Sequence, residues 1–222
     1  MQETTISPRN LSSPDASNWQ AAIKGLARFA STIFSPVVLT PAMFLILGLS
    51  LGTTVGWLWV ALYFAVSTLI PSLLIVWMVR KGTLSDFHMK NREERSRPLF
   101  IIFFLSSILC LVFYFGGAPL VVTALGVGAC FQALVMWLVT TKWKISGHSA
   151  GAASFLAILL AVDRSLALPA ILILLLVMWA RVQRGRHTWL QSFAGASLGF
   201  AAIWLPLQVI LPYCSGPVLG CF

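Results

Sequence analysis

The chain has 222 residues, 59% of them hydrophobic and only 9% charged, with a formal net charge of +9. That makeup excludes a soluble globular domain and describes a polytopic membrane protein. The basic residues flank apolar runs instead of forming a separate basic face, which argues against nucleic acid and for phosphate or anionic lipid headgroups as partners.

Residues 1–17 are polar, without the basic, apolar and small-residue succession of a cleavable leader, and are expected to form a disordered tail. From Asn18 to Ile33, Trp19, Ile23, Leu26, Phe29 or Ala30, and Ile33 recur at helical spacing, with Lys24 and Arg28 off the stripe. That pattern predicts a helix lying on the membrane. Apolar runs then predict spans over 34–51, 55–79, 98–115, 120–140, 147–162, 166–180 and 189–211, the second interrupted by Pro71. The expected fold is therefore all-α. One membrane-embedded domain covers 18–222, a bundle of about six to seven transmembrane helices behind an N-terminal interfacial helix. Cys110 and Cys130, inside apolar runs, are expected to pack; Cys214 and Cys221 are free thiols or, in an oxidising compartment, a disulfide.

Three polar stretches interrupt the apolar pattern: Lys90 to Pro98, Ser146 to Ser149, and Arg181 to Gln191. Seven crossings put all three, with every histidine, on one side of the membrane. Of the 15 basic residues only Arg164 falls opposite, beside Asp163, and the excess of positive charge assigns the polar side to the cytoplasm. With the three stretches set aside, Arg9, Lys24, Arg28, Arg80, Lys81, Lys142 and Lys144 still point the same way. No span carries an ionisable residue in its middle, which argues against a transporter or channel.

Each stretch has its own chemistry and also an ordinary reading as a solvated juxtamembrane segment. Arg97 precedes Pro98, which biases it out of helical conformation, so its guanidinium can curl over the start of the third span while Lys90 approaches from the loop. Ser146 is positioned to cap the helix that follows, with Gly147 allowing close backbone approach and His148 beside it. Arg181 and His187 flank Gly185, and Gln191 lies one helical turn beyond His187, within reach of the imidazole. Small residues Ser149, Ala153, Gly195 and Gly199 permit close contact between the two helices that carry the histidines.

The combination resembles the type 2 phosphatidic acid phosphatase superfamily, whose signature is K-x6-RP, PSGH and SR-x5-H-x3-D. Here the three motifs read Lys90-x6-Arg97-Pro98, Ile145-Ser146-Gly147-His148 and Ala180-Arg181-x5-His187-x3-Gln191. Ser85-Asp86-Phe87-His88 and the KIS-x-H run ending at His148 are similar to a small bacterial membrane branch of that superfamily. The resemblance implies that His187 attacks phosphorus to form a phosphohistidine and that His148 protonates the leaving alkoxide. It also implies that Lys90, Arg97, Ser146, Gly147 and Arg181 bind the phosphoryl oxygens, with neither metal nor cofactor. His88 is expected to be interfacial or to support the site indirectly.

Ile145 and Ala180 replace a proline and a serine of the signature, which are mild changes. Gln191 replaces the aspartate that orients the nucleophilic histidine and stabilises its positive charge. A carboxamide can accept the ring proton but carries no charge, and Asp86, Glu93 or Glu94 are the candidates to substitute for it. The expected function is a lipid phosphate phosphatase of a bacterial inner membrane with its site at the cytoplasmic face, acting on a lipid such as phosphatidic acid or phosphatidylglycerol phosphate. The alternatives are a polyprenyl diphosphate phosphatase and a catalytically silent relative that binds anionic lipid or a membrane partner.

Overall fold

The computed structural model describes residues 14–85 and 93–213; Asp86, His88, Lys90, Cys214 and Cys221 lie outside them. The described residues form nine α-helices and no strand: α1 (Pro14–Ile33), α2 (Pro36–Leu51), α3 (Thr54–Phe64), α4 (Ile70–Arg80), α5 (Ser96–Gly116), α6 (Leu120–Thr140), α7 (Gly147–Val162), α8 (Ala167–Gln183) and α9 (Trp189–Ile210). Among the described residues, six helical stretches are long and apolar enough to cross a membrane: Asn18–Leu51, Thr54–Arg80, Ser96–Gly116, Leu120–Thr140, Arg164–Gln183 and Trp189–Ile210. The chain is an all-α integral membrane protein. The seventh expected span, α7, has 16 residues and is about 24 Å long, short of a hydrocarbon core of about 30 Å. It can be short because it is enclosed by protein: its middle, Ala152 to Leu159, is buried.

α1 starts at Pro14, four residues inside the expected tail. Proline suits a first helical turn, where its missing N–H has no partner to lose. The expected stripe faces away from the bundle, with Trp19, Leu26, Phe29 and Ile33 exposed. Ala27 and Ala30 instead pack on Ala180, Leu176 and Trp179 of α8. Small residues therefore face protein, and the large apolar ones face the outside of the bundle.

The second span differs from expectation in a specific way. Between α3 and α4 the backbone forms a π-helical turn, Ala65–Leu69, and the Ile70 amide bonds back to the Ala65 carbonyl. Pro71 follows, so the wide turn absorbs the donor that proline lacks without breaking the span.

α7 and α9 set the geometry of everything that follows. A Cβ on Gly199 would run into the Ala150 carbonyl, and one on Gly195 into the Ser146 carbonyl. Ser154 Oγ lies 2.9 Å from Gln132 Oε1 on α6 and 3.1 Å from the Gly199 carbonyl, tying three helices together in an apolar interior. Gly199→Ala must push the α7 and α9 backbones apart, and we expect it to cost about 1–3 kcal/mol. Gly25→Ala on α1, where a Cβ meets nothing within 4 Å, should leave stability level or slightly raised. Thermal unfolding in detergent separates the two.

Candidate active site

The residues that carry the second and third motifs are delivered by two helix starts and one helix end. Ser146 caps α7: its Oγ accepts from the Ser149 amide at 3.3 Å and from the Ser149 hydroxyl at 3.0 Å. Its own amide donates to the Gln191 carbonyl at 3.1 Å, so the first turns of α7 and α9 are joined directly. Ser146 is fully buried and does not line the cavity described below; its place is structural. Gly147 and His148, the first two helical residues, do line it.

α8 ends in a Schellman motif. The Arg186 amide bonds to the Arg181 carbonyl at 3.1 Å and the Gly185 amide to the Val182 carbonyl at 2.8 Å. Gly185 has φ +61°, the left-handed conformation that this reversal needs and that glycine adopts without penalty. The chain therefore doubles back within two residues and brings His187 beside Arg181. Thr188 then opens α9 with a capping box: its amide donates to Gln191 Oε1 at 3.1 Å, and the Gln191 amide donates to Thr188 Oγ1 at 3.3 Å.

His148, His187 and Arg181 converge on one cavity of about 480 Å³. That is ample for a phosphate and part of what it is attached to. Arg95 joins them from the turn before α5. Arg97, the arginine expected there, is exposed and is not among the lining residues. The reason is where the helix begins. α5 starts at Ser96, two residues before Pro98, so Arg97 is already helical and the bias of a pre-proline residue is overridden. Helical spacing then puts Arg95, Leu99 and Ile102 on the cavity side and Arg97 on another. Three arginines within KNREERSRP give no spacing signal that would single out Arg95. Lys90 falls outside the described residues.

Among the described residues, no acidic side chain lines the cavity. Burial, and then the charges of Arg181, Arg95 and Lys144, push His187 down to about 3. The nearby Gln191 carboxamide opposes this weakly. His187 is therefore neutral across the ordinary pH range, with a lone pair available and Nδ1 buried without a hydrogen-bond partner among the described residues. Of the acids that could stand in for the missing aspartate, Glu94 is engaged elsewhere, accepting from the Ser85 amide at 2.9 Å and hydroxyl at 2.8 Å. Gln191→Asp should place a charge one turn from the ring and raise the His187 pKa, while keeping an acceptor at the α9 N-terminus. We expect at least about a tenfold faster turnover, checked by phosphate release alongside NMR titration of His187.

Sequence reasoning missed a further group. Ser31 receives two guanidiniums, from Arg181 at 3.3 Å and Arg184 at 2.9 Å. Thr40 of α2, Ser67 and Thr68 of the π-turn and Ser72 of α4 also line the cavity. Isolated hydroxyls in apolar runs carry no periodic signal, and only the fold collects them. No family model matches the sequence, and neither a curated protein nor a solved structure matches it.

Proposed function

We propose that this protein is a membrane lipid phosphate phosphatase akin to the type 2 phosphatidic acid phosphatases, working through a phosphohistidine. The observation that carries this reading is the meeting of two histidines and two arginines, from three distant stretches, in one cavity with no acidic lining residue among those described. A neutral imidazole beside two guanidiniums suits attack on a phosphorus whose oxygens need positive partners.

In the first step the His187 lone pair forms a bond to phosphorus as the bond to the ester oxygen breaks, and His148 gives its proton to the departing alkoxide. In the second, His148 takes a proton from water, the resulting hydroxide attacks phosphorus, the N–P bond breaks and phosphate leaves. Arg181 and Arg95 hold the equatorial oxygens in both steps. Charge bias supports a site at the cytoplasmic face. Phosphatidic acid and phosphatidylglycerol phosphate are the substrates first proposed, ahead of a polyprenyl diphosphate.

A second reading, a silent relative that binds anionic lipid, is favoured by Gln191, whose Oε1 is committed to the Thr188 amide and carries no charge. Phosphate release by the purified protein in detergent decides between them, with the three lipids as substrates. Release that falls about a hundredfold in kcat/KM with Arg95→Ala, and less than about twofold with Arg97→Ala, supports the phosphatase and its cavity. No release from any lipid by folded protein that still binds vanadate supports the silent relative.

A further inference from the structure

The cavity does not end at the phosphate-binding residues. It runs inward along α2 to Thr40 and along the second span to Ser72, Thr68 and Ser67. Thr68 is roughly 18 Å along the helix axis from Arg80, at a depth where the chain is otherwise apolar. These hydroxyls are half-buried, and withdrawing them from water is costly unless something satisfies them. A π-turn is an unusual device, met mostly at functional sites, and this one carries two of the four hydroxyls.

The π-turn hydroxyls have a polarity of their own. Ser67 Oγ donates to the Tyr63 carbonyl at 2.7 Å, which leaves the Thr68 hydroxyl as the donor in its 3.4 Å contact with Ser67 Oγ. A hydroxyl has one proton and two lone pairs, so an oxygen whose proton is spent on the backbone offers only acceptors. Ester carbonyls and polyprenyl chains bring no donor to such a wall. The hydroxyls of a polyol do.

A second observation points independently to a ligand in this cavity. His187 and Arg181 are 7% and 3% exposed, both line it, and His187 Nδ1 and Arg181 Nε are buried without hydrogen-bond partners among the described residues. We infer that the inner wall formed by Thr40, Ser67, Thr68 and Ser72 is a leaving-group subsite for a polyhydroxylated alcohol, so that the preferred substrate is a phosphomonoester of a polyol. The inference rests on the proposed function only for where the phosphate sits.

Binding of phosphonates, which cannot be dephosphorylated, tests the subsite whether or not the protein turns over. Butylphosphonate and 3,4-dihydroxybutylphosphonate match propyl phosphate and glycerol 3-phosphate in shape and differ by two hydroxyls. Calorimetry on the whole protein in detergent should show the dihydroxy probe binding at least about tenfold more tightly, as two added hydrogen bonds imply. In Ser67→Ala/Thr68→Val the preference should shrink toward unity. Equal affinities in the wild-type protein overturn the inference and leave the phosphatase reading standing. A preference that survives the double variant overturns the assignment to the π-turn. Phosphate release from phosphatidylglycerol phosphate and from glycerol 3-phosphate then identifies the source of the polyol, a lipid headgroup if the first is faster and a free polyol phosphate if the second is. If these two and phosphatidic acid and a polyprenyl diphosphate all fail to release phosphate while the preference holds, the proposed function fails and the wall stands as a binding site for a polyol phosphate.

Discussion

His187→Ala is expected to abolish phosphate release, with a loss of at least about ten-thousandfold in kcat, because it removes the atom that, in the proposed mechanism, bonds to phosphorus. The pH dependence distinguishes this role from a structural one. His187 is held down at about 3 by burial and by Arg181, Arg95 and Lys144, so its nucleophilic form persists from alkaline pH down to the acid range. An acid limb assigned to it should lie well below the ordinary histidine value of 6.5. The same shift links to stability. The unfolded chain takes up the proton near 6.5 and the folded one only near 3, so the contribution is full above about 6.5 and is lost progressively as pH falls from there toward 3. His187→Ala should therefore flatten the decline in thermal stability between pH 7 and pH 4 as well as stop turnover. An unaltered rate in folded protein would remove His187 from the mechanism.

How far the chain could be read from its residues depended on the physical signal each feature leaves. The apolar run over 147–162 has the bounds of α7, though that helix is too short to count among the six candidate spans, and the run over 120–140 has those of α6. In both cases polar or glycine-proline breaks bound a continuous apolar run, and a backbone shut away from water has no alternative way to satisfy its polar groups. The Gly195 and Gly199 contact with α7 was legible for a related reason, since small residues at helical spacing mark close approach. The π-turn was not legible: Pro71 announces a defect, but whether it becomes a kink, a break or a wide turn depends on the helices packed around it. Nor was the choice of Arg95 over Arg97. A shift of two residues rotates a side chain by roughly 200° about a helix, so a small error in where α5 begins exchanges the buried arginine for the exposed one.

The second large effect belongs to Arg181, and it combines two opposite outcomes. Arg181 is 3% exposed and donates to Ser31 Oγ at 3.3 Å, a hydroxyl it shares with Arg184 at 2.9 Å. A neutral oxygen accepting from two guanidiniums is poor compensation for a buried charge, and Arg181 Nε has no partner among the described residues. The deficit is what a dianionic phosphoryl group would fill. Arg181→Met should thus lower kcat/KM by about a hundred- to thousandfold, because a charge aimed at the transition state is gone. It should leave thermal stability of the ligand-free protein level or raised, because an undercompensated buried charge is replaced by packing. Arg181→Lys tests the fork itself: it keeps the charge but loses the bidentate geometry, and should recover only a fraction of the activity. Inorganic phosphate should raise the melting temperature of the wild-type protein and not that of Arg181→Met. Were Arg181→Met instead to unfold the protein while Arg181→Lys kept full activity, the guanidinium would be a brace between α8 and α1, and the phosphate would have to lie elsewhere in the cavity.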